Sequence, residues 1–225
     1  MDEFTNNYGL HICYNNDSVI ELGIDEAGRG PMFGRVYVAG VVLPKNKEEF
    51  NHDDLRDSKK IKSLKKMGNL VTYIKDNAIA WSICYNDENK IDKLNIRQAT
   101  LNAMHKVVDD LTKQLDTIDL HLLVDGNDFT PHMHIDKSTL HLSPINHTCI
   151  TGGDNKYTSI AAASILAKYE RDQYILKLCE ENPTLCEYYG IDTNKGYGTK
   201  KHLDGIVKYG ITQWHRKSYG ICKSY

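Results

Sequence analysis

Along residues 91–115 the apolar residues Ala99, Ala103, Met104, Val107, Val108, Leu111 and Leu115 recur at helical spacing, with lysines and acids on the opposite face. One long amphipathic helix is expected there. The next segment, IDLHLLV at 118–124, alternates like a strand and stops at Asp125-Gly126. A helix running directly into a strand implies a crossover onto a parallel neighbour, so the fold class expected is α/β. Upstream, residues 19–24, 36–43 and 78–85 (AIAWSICY) are short β-branched or apolar runs. The first two are separated by the Gly/Pro-rich GRGPMFGR. The third is reached through a basic helical stretch over about 61–75. They read as an antiparallel meander.

After Asp125 the turn-rich residues 127–147 read as a loop with room for one short strand, and 146–150 as a further strand. His132, His134 and His141 in that loop lack the spacing of a structural zinc site. A helix follows from Thr158, and its run Ala161-Ala162-Ala163 suits close packing on a sheet. Beyond Pro183 the tyrosines, glycines and basic residues read as a small appendage with short helices around Tyr188 and 201–208. The chain therefore divides into an N-terminal extension (1–18), a main domain (19–182) and a C-terminal helical segment (183–225). Trp81 and Trp214 read as packing aromatics.

At 40% hydrophobic and 26% charged, the 225 residues match a folded globular chain, and no segment approaches about 18 consecutive apolar residues. Six cysteines occur without a C-x-x-C pair, which excludes a zinc ribbon or a thioredoxin-like motif. Reduced thiols and the polar start MDEFTNNYGL point to a cytoplasmic protein. A net charge of −2 does not itself indicate nucleic-acid binding. The charge is nevertheless divided: bases thicken at 59–66, 195–201 and 215–217, and acids at 25–26 and 53–57.

Two of those acids, Asp25 and Asp125, close strands, and open α/β sheets place their sites beyond the carboxyl ends of strands. Asp172 is a third candidate. It lies on the helical stripe Ser164, Lys168, Asp172, stepping by four residues. Grouped carboxylates repel one another unless cations neutralise them, and hard oxygen donors select Mg²⁺ or Mn²⁺. Two such ions can activate water and stabilise the leaving oxygen in phosphodiester hydrolysis. Glu26 presents a difficulty, because adjacent strand residues face opposite ways. Either a bend permitted by Ala27-Gly28 brings it to the same site, or Glu26 acts through a neighbouring position without sharing ligands equally.

In order along the chain, GIDEAGRGP (23–31), DSKK (57–60), VDG (124–126), GDNKYTSIAAASILAKYERD (153–172) and NKGYGTKKH (194–202) resemble the type 2 ribonuclease H family, ribonuclease HII, with WHRKSYG like its bacterial branch. The resemblance implies a ribonuclease H-like mixed five-stranded sheet flanked by helices, with a small C-terminal helical segment. It implies a divalent-metal endonuclease that cuts RNA in RNA-DNA hybrids and incises 5′ of single ribonucleotides in duplex DNA. Asp25, Glu26, Asp125 and Asp172 fall on the family's four catalytic, metal-holding acids, which take two Mg²⁺ or Mn²⁺ ions. Gly28, Arg29 and Gly30 fall on the loop that senses the ribose 2′-hydroxyl and adjoining phosphate, and Tyr197 on a tyrosine that stacks at the RNA-to-DNA step. Lys59 and Lys168 are expected either to contact phosphate or to organise the site. Lys200, His202, His215 and Arg216 are expected to form a basic surface along the duplex.

Two departures from the family pattern stand out. Gly152 replaces a usually basic residue, and Arg35 occupies a position that is often proline, which suggests a looser loop. A monomer is expected, and SYGICKSY shows no clamp-docking peptide. Two other readings stay open: a different metal-dependent nuclease of this fold class, and a catalytically silent hybrid-binding protein.

Overall fold

The computed structural model describes residues 4–61, 63–135 and 141–225. Lys62 of the basic run and residues 136–140 of the histidine-bearing loop lie outside the described residues, as do residues 1–3. Strands β1 (Ile20–Ala27), β2 (Val36–Val42) and β3 (Ala80–Asn86) form the antiparallel meander. Strand β4 (Leu120–Asp125) then pairs parallel with β1. A small hairpin follows, β5 (Met133–Ile135) and β6 (Leu142–Pro144), in the stretch expected to be mostly loop. Strand β7 (Asn146–Ile150) completes a mixed five-stranded sheet in the order β3-β2-β1-β4-β7.

Helices cover both faces, as a sheet with parallel crossovers requires. Helix α1 (Leu64–Asn77) starts at Ser63, whose hydroxyl accepts from Lys66 N, and buries Met67, Leu70, Val71 and Ile74. The expected single helix over 91–115 is instead two, α2 (Glu88–Leu94) and α3 (Ile96–Leu115). The break is Asn95, whose φ of 68° ends α2 while its side chain caps α3 by accepting from Gln98 N. Asparagine tolerates the left-handed region and caps well, so one residue can both end and start a helix. Periodicity alone did not register it.

Helix α4 (Thr158–Glu181) lies on the face opposite α3. Leu22, Ile24, Leu122 and Val124 pack toward α3 through Leu101, Met104, Val107 and Leu111. On the other face Ala39, Val41 and Tyr37 pack against α1 and the small residues Ala161, Ala162 and Ala163 of α4. Gly23 of β1 allows this approach, since a Cβ there would fall inside contact distance of the Ser159 carbonyl and Ile160 N.

The far end of α4 carries the C-terminal helices α5 (Thr184–Tyr189), α6 (Ile191–Asn194) and α7 (Lys200–Tyr209). Their core joins Ile175, Leu185, Tyr189, Ile191 and Ile206 to Phe33, which comes from the loop after β1. Full burial of that ring stabilises the loop's seating by about 1.5–3 kcal/mol. The N-terminal residues are also tied down. Asn6 Nδ2 donates to the carbonyls of His52 and Leu55, and Thr158 N donates to His11 O.

Arg35 is not in a loose loop. Its guanidinium lies between the Tyr85 and Tyr174 rings, 4.1 and 4.3 Å from their centroids, and it leads directly into β2.

Candidate active site

Because β1 and β4 are parallel neighbours, with Ile24 opposite Val124, Asp25 and Asp125 emerge side by side at the same edge of the sheet. Helix α4 then brings Asp172 over that edge. All three line one open cleft of about 300 Å³, together with Glu26, Gly28, Arg29, Gly30, Lys59, Lys168 and Tyr197. Strand β1 keeps its pairing with β2 through Ala27, and the chain turns out of the strand only at Gly28, whose φ is 98°. Glu26 follows the ordinary alternation toward the α3 side, where with Arg29, Thr100, Met104 and Asp125 it lines a second, smaller hollow. It reaches the main cleft because the sheet ends there.

Each acid is held by a short contact. Asp25 Oδ1 accepts from Glu26 N, and Asp125 Oδ1 from Gly153 N, both at 2.7 Å. Lys168 Nζ donates to Asp172 Oδ2 at 2.7 Å, while Arg29 Nη1 lies 3.3 Å from Glu26 Oε1. Burial, then the charges of Glu26 and Asp125, holds the Asp25 carboxyl well above the usual carboxylate range. Burial also raises Glu26 against the pull of Arg29, and raises Asp125 against its hydrogen bond from Gly153. A cleft that makes ionisation of three carboxylates costly favours a cation between them, and these are hard oxygen donors suited to Mg²⁺ or Mn²⁺. Among the described residues, no three such side chains are drawn together closely enough to hold an ion without rearrangement. The donor set fits a hard divalent cation, provided side chains such as Asp172, now turned to Lys168, rotate toward it.

The remaining candidates separate into two groups. Lys59 is 79% exposed at the cleft rim, with Nζ 3.7 Å from Asp154, and Tyr197 is 53% exposed beside it. Lys200 is exposed but lies outside the cleft, paired with Asp204 at 2.6 Å. His202, His215 and Arg216 do not form the expected basic surface, because all three are buried.

The two histidines form a chain. The Tyr197 carbonyl can only accept, so His202 Nδ1, 2.9 Å away, carries the proton and its Nε2 accepts from His215 Nε2 at 3.1 Å. His215 Nδ1 in turn accepts from Thr212 N at 2.9 Å. Both rings are thereby neutral, in line with burial lowering His202 and pushing His215 down to about 3. The chain ends on the main chain of Tyr197. Gly152 adopts a left-handed φ of 65° ahead of the short turn whose Gly153 N reaches Asp125. Of the loop histidines, His132 pairs with Asp109 at 3.0 Å, and the neighbouring His105 Nε2 lies 2.8 Å from Thr130 O.

Reading the sequence missed Arg171, Ser58 and Lys195, all of which line the cleft. Ser58 Oγ lies 3.0 Å from Ser164 Oγ, and the Ser164 hydroxyl bonds to Asp25. The signal for Ser58 and Arg171 lies within DSKK and KYERD, beside Lys59 and Asp172.

A mixed β3-β2-β1-β4-β7 sheet with carboxylates gathered at adjoining strand ends and under a covering helix defines a ribonuclease H-type protein. The sequence model for ribonuclease HII matches residues 22–222. A ribonuclease HII of Parabacteroides distasonis is 44% identical over 208 residues, covering 92% of this chain and 94% of that one. Among solved structures, ribonuclease H2 of Pyrococcus horikoshii OT3 superposes with a TM-score of 0.67 at 22% identity, covering 91% of this chain and 96% of that one. A Bst ribonuclease HIII in complex with Mn²⁺ superposes at 0.58 with 13% identity, covering 85% and 70% respectively. The chain belongs to the ribonuclease HII family and is an endoribonuclease. That family is generally dependent on divalent metal.

Proposed function

We propose that Asp25, Glu26, Asp125 and Asp172 are the catalytic carboxylates, and that the enzyme incises 5′ of single ribonucleotides in duplex DNA as well as cutting the RNA strand of hybrids. The observation that carries this reading is the sharing of one cleft by the four acids, the Gly28-Arg29-Gly30 loop and Tyr197. Two Mg²⁺ or Mn²⁺ ions held by the four acids would activate water and stabilise the departing 3′-oxygen. The products are a 3′-hydroxyl and a 5′-phosphate.

The chain's own groups select and align the strand. Among the described residues the N–H groups of Arg29 and Gly30 have no acceptor within the protein, so they are available to a ribose hydroxyl or phosphate. Gly28, at φ 98°, permits the backbone to turn there. The half-exposed Arg29 guanidinium suits a phosphate, and the exposed Tyr197 ring suits packing on the sugar that follows the ribonucleotide. Lys59 at the rim adds positive charge against the backbone. Lys168 orients Asp172, and because it lines the same cleft its ammonium is suited to a phosphate bound there. Lys200, on the exposed end of α7, is suited to more distant phosphates.

We place the enzyme in the cytoplasm as a monomer, a setting consistent with its six free cysteines. Among the described residues no helix is long and apolar enough to cross a membrane.

The test is cleavage of an end-labelled DNA duplex carrying one ribonucleotide, with Mg²⁺ or Mn²⁺, beside an all-DNA control. A single cut 5′ of the ribonucleotide with the control intact is expected. Cutting of both duplexes would favour a broader nuclease; binding without cutting would favour a silent hybrid-binding protein.

A further inference from the structure

The loop from Gly28 to Gly34 has no regular secondary structure beyond an isolated bridge, yet its carbonyls converge on one side chain. Arg216 donates from Nη2 to Gly28 O at 2.6 Å and from Nη1 to Arg29 O and Pro31 O at 3.0 and 2.6 Å. Its Nε donates to Gly34 O at 2.8 Å, and the whole side chain is buried. Arg171, also buried, stands behind it. Its Nη2 donates to Phe33 O and Lys195 O at 3.3 and 2.8 Å, and its Nε to Arg35 O at 3.4 Å. Among the described residues neither guanidinium has a carboxylate within ion-pair distance. Burial lowers both, Arg171 to about 10; a guanidinium in a protein carries its charge at neutral pH.

Two buried like charges side by side are costly, and only well-placed acceptors offset that cost. Main-chain carbonyls supply the acceptors here. A carbonyl turned inward leaves the next peptide N–H free to turn outward, which matches the unpartnered N–H groups of Arg29 and Gly30. The same side chains bridge two loops. Arg171 joins Phe33 to Lys195, Met32 N donates to Gly196 O at 3.0 Å, and Arg216 N donates to Met32 O at 2.9 Å. The Gly28-Arg29-Gly30 loop is thus held at a set distance from the Tyr197 loop.

We infer that Arg216, backed by Arg171, is a positioning residue for substrate selection, keeping the loop's amides aimed into the cleft and its spacing from Tyr197 constant. This rests on the reading of the cleft as a ribonucleotide-sensing site. Arg216 touches no substrate itself. Lysine would keep the charge but present its donors from a single nitrogen, which cannot span carbonyls of residues 28, 29, 31 and 34.

The experiment compares wild type with Arg216→Lys in two measurements: amide hydrogen exchange, and steady-state cleavage of the duplex with one ribonucleotide. The expected result is exchange at least about tenfold faster within residues 28–34 and 195–197, with α3 and β2 unchanged. KM should rise at least about tenfold, with kcat changed less than about threefold. Unchanged loop exchange, or a loosened loop with unchanged KM, would overturn the inference. Exchange that quickens equally across the sheet would also overturn it, because Arg216 would then be only a structural support. Should Arg216→Lys not fold, Arg171→Lys is read by hydrogen exchange, with faster exchange centred on residues 195–197 expected and unchanged exchange there overturning the inference. If wild type leaves the duplex uncut, the ribonucleotide-sensing reading fails by itself, and the exchange data alone decide whether Arg216 holds the loop.

Discussion

At Asp125 a single carboxylate meets Gly153 N–H on one side and the charge of Asp154 on the other, and burial raises its proton affinity. Asp125→Asn keeps the shape and removes the charge. Turnover is expected to fall at least about 100-fold, beyond the usual effect of disturbing a group that merely supports a metal ligand. Duplex binding and the melting temperature of metal-free protein should be nearly unchanged; calorimetry and a binding titration check both, and wild-type turnover would remove Asp125 from the site. Tyr197 presents the opposite case, an exposed ring whose backbone is fixed by the His202-His215 chain. Tyr197→Ala is expected to slow incision at a single ribonucleotide at least about tenfold more than cutting of long hybrids. Equal losses on the two substrates would argue against a role at the RNA-to-DNA step.

Helix α4 links the catalytic edge to the C-terminal helices, since it carries Ser164, Lys168, Arg171 and Asp172 and then packs Ile175 and Leu178 into the core that holds Phe33. The seating of α4 and of α3 on the two faces of the sheet depends on two glycines in neighbouring strands. A Cβ at Gly23 would strike the main chain of α4, whereas one at Gly40 would meet the side-chain tips of Val107 and Leu111 on α3. Side-chain tips yield more readily than helix backbone. Gly23→Ala is therefore expected to cost roughly 1–3 kcal/mol and to displace Asp172, with Gly40→Ala costing less. Urea midpoints at constant slope measure the difference, and a larger loss at Gly40 would show that α3 is the less adaptable helix.

Across the whole molecule, three buried neutral histidines make folding sensitive to acid. His52 is pushed down to about 4 by burial, with Nε2 donating to Pro44 O and Nδ1 3.0 Å from Thr158 Oγ1. His202 and His215 are lowered as well. An unfolded histidine takes a proton near pH 6.5, while folded His52 resists until about pH 4. Its stabilising contribution is therefore complete above pH 6.5 and lost as the pH falls toward 4. The stability difference between wild type and His52→Gln should shrink by roughly 2–3 kcal/mol from pH 7 to pH 4. A difference independent of pH would mean that His52 is not buried neutral. What the sequence by itself determined is what neighbours along the chain encode: the strand runs, the helical stripe bearing Lys168 and Asp172, the acids at strand ends, and motifs specific enough to name a family. Glu26 also followed simple strand alternation, up to the turn at Gly28. Only the tertiary structure decided which basic residues face solvent. Arg216 meets carbonyls 182 to 188 positions away, and a guanidinium bound for the core is spelled like one bound for phosphate. Burial is a property of the packed chain, set by which distant segments supply acceptors, and no local spacing records it.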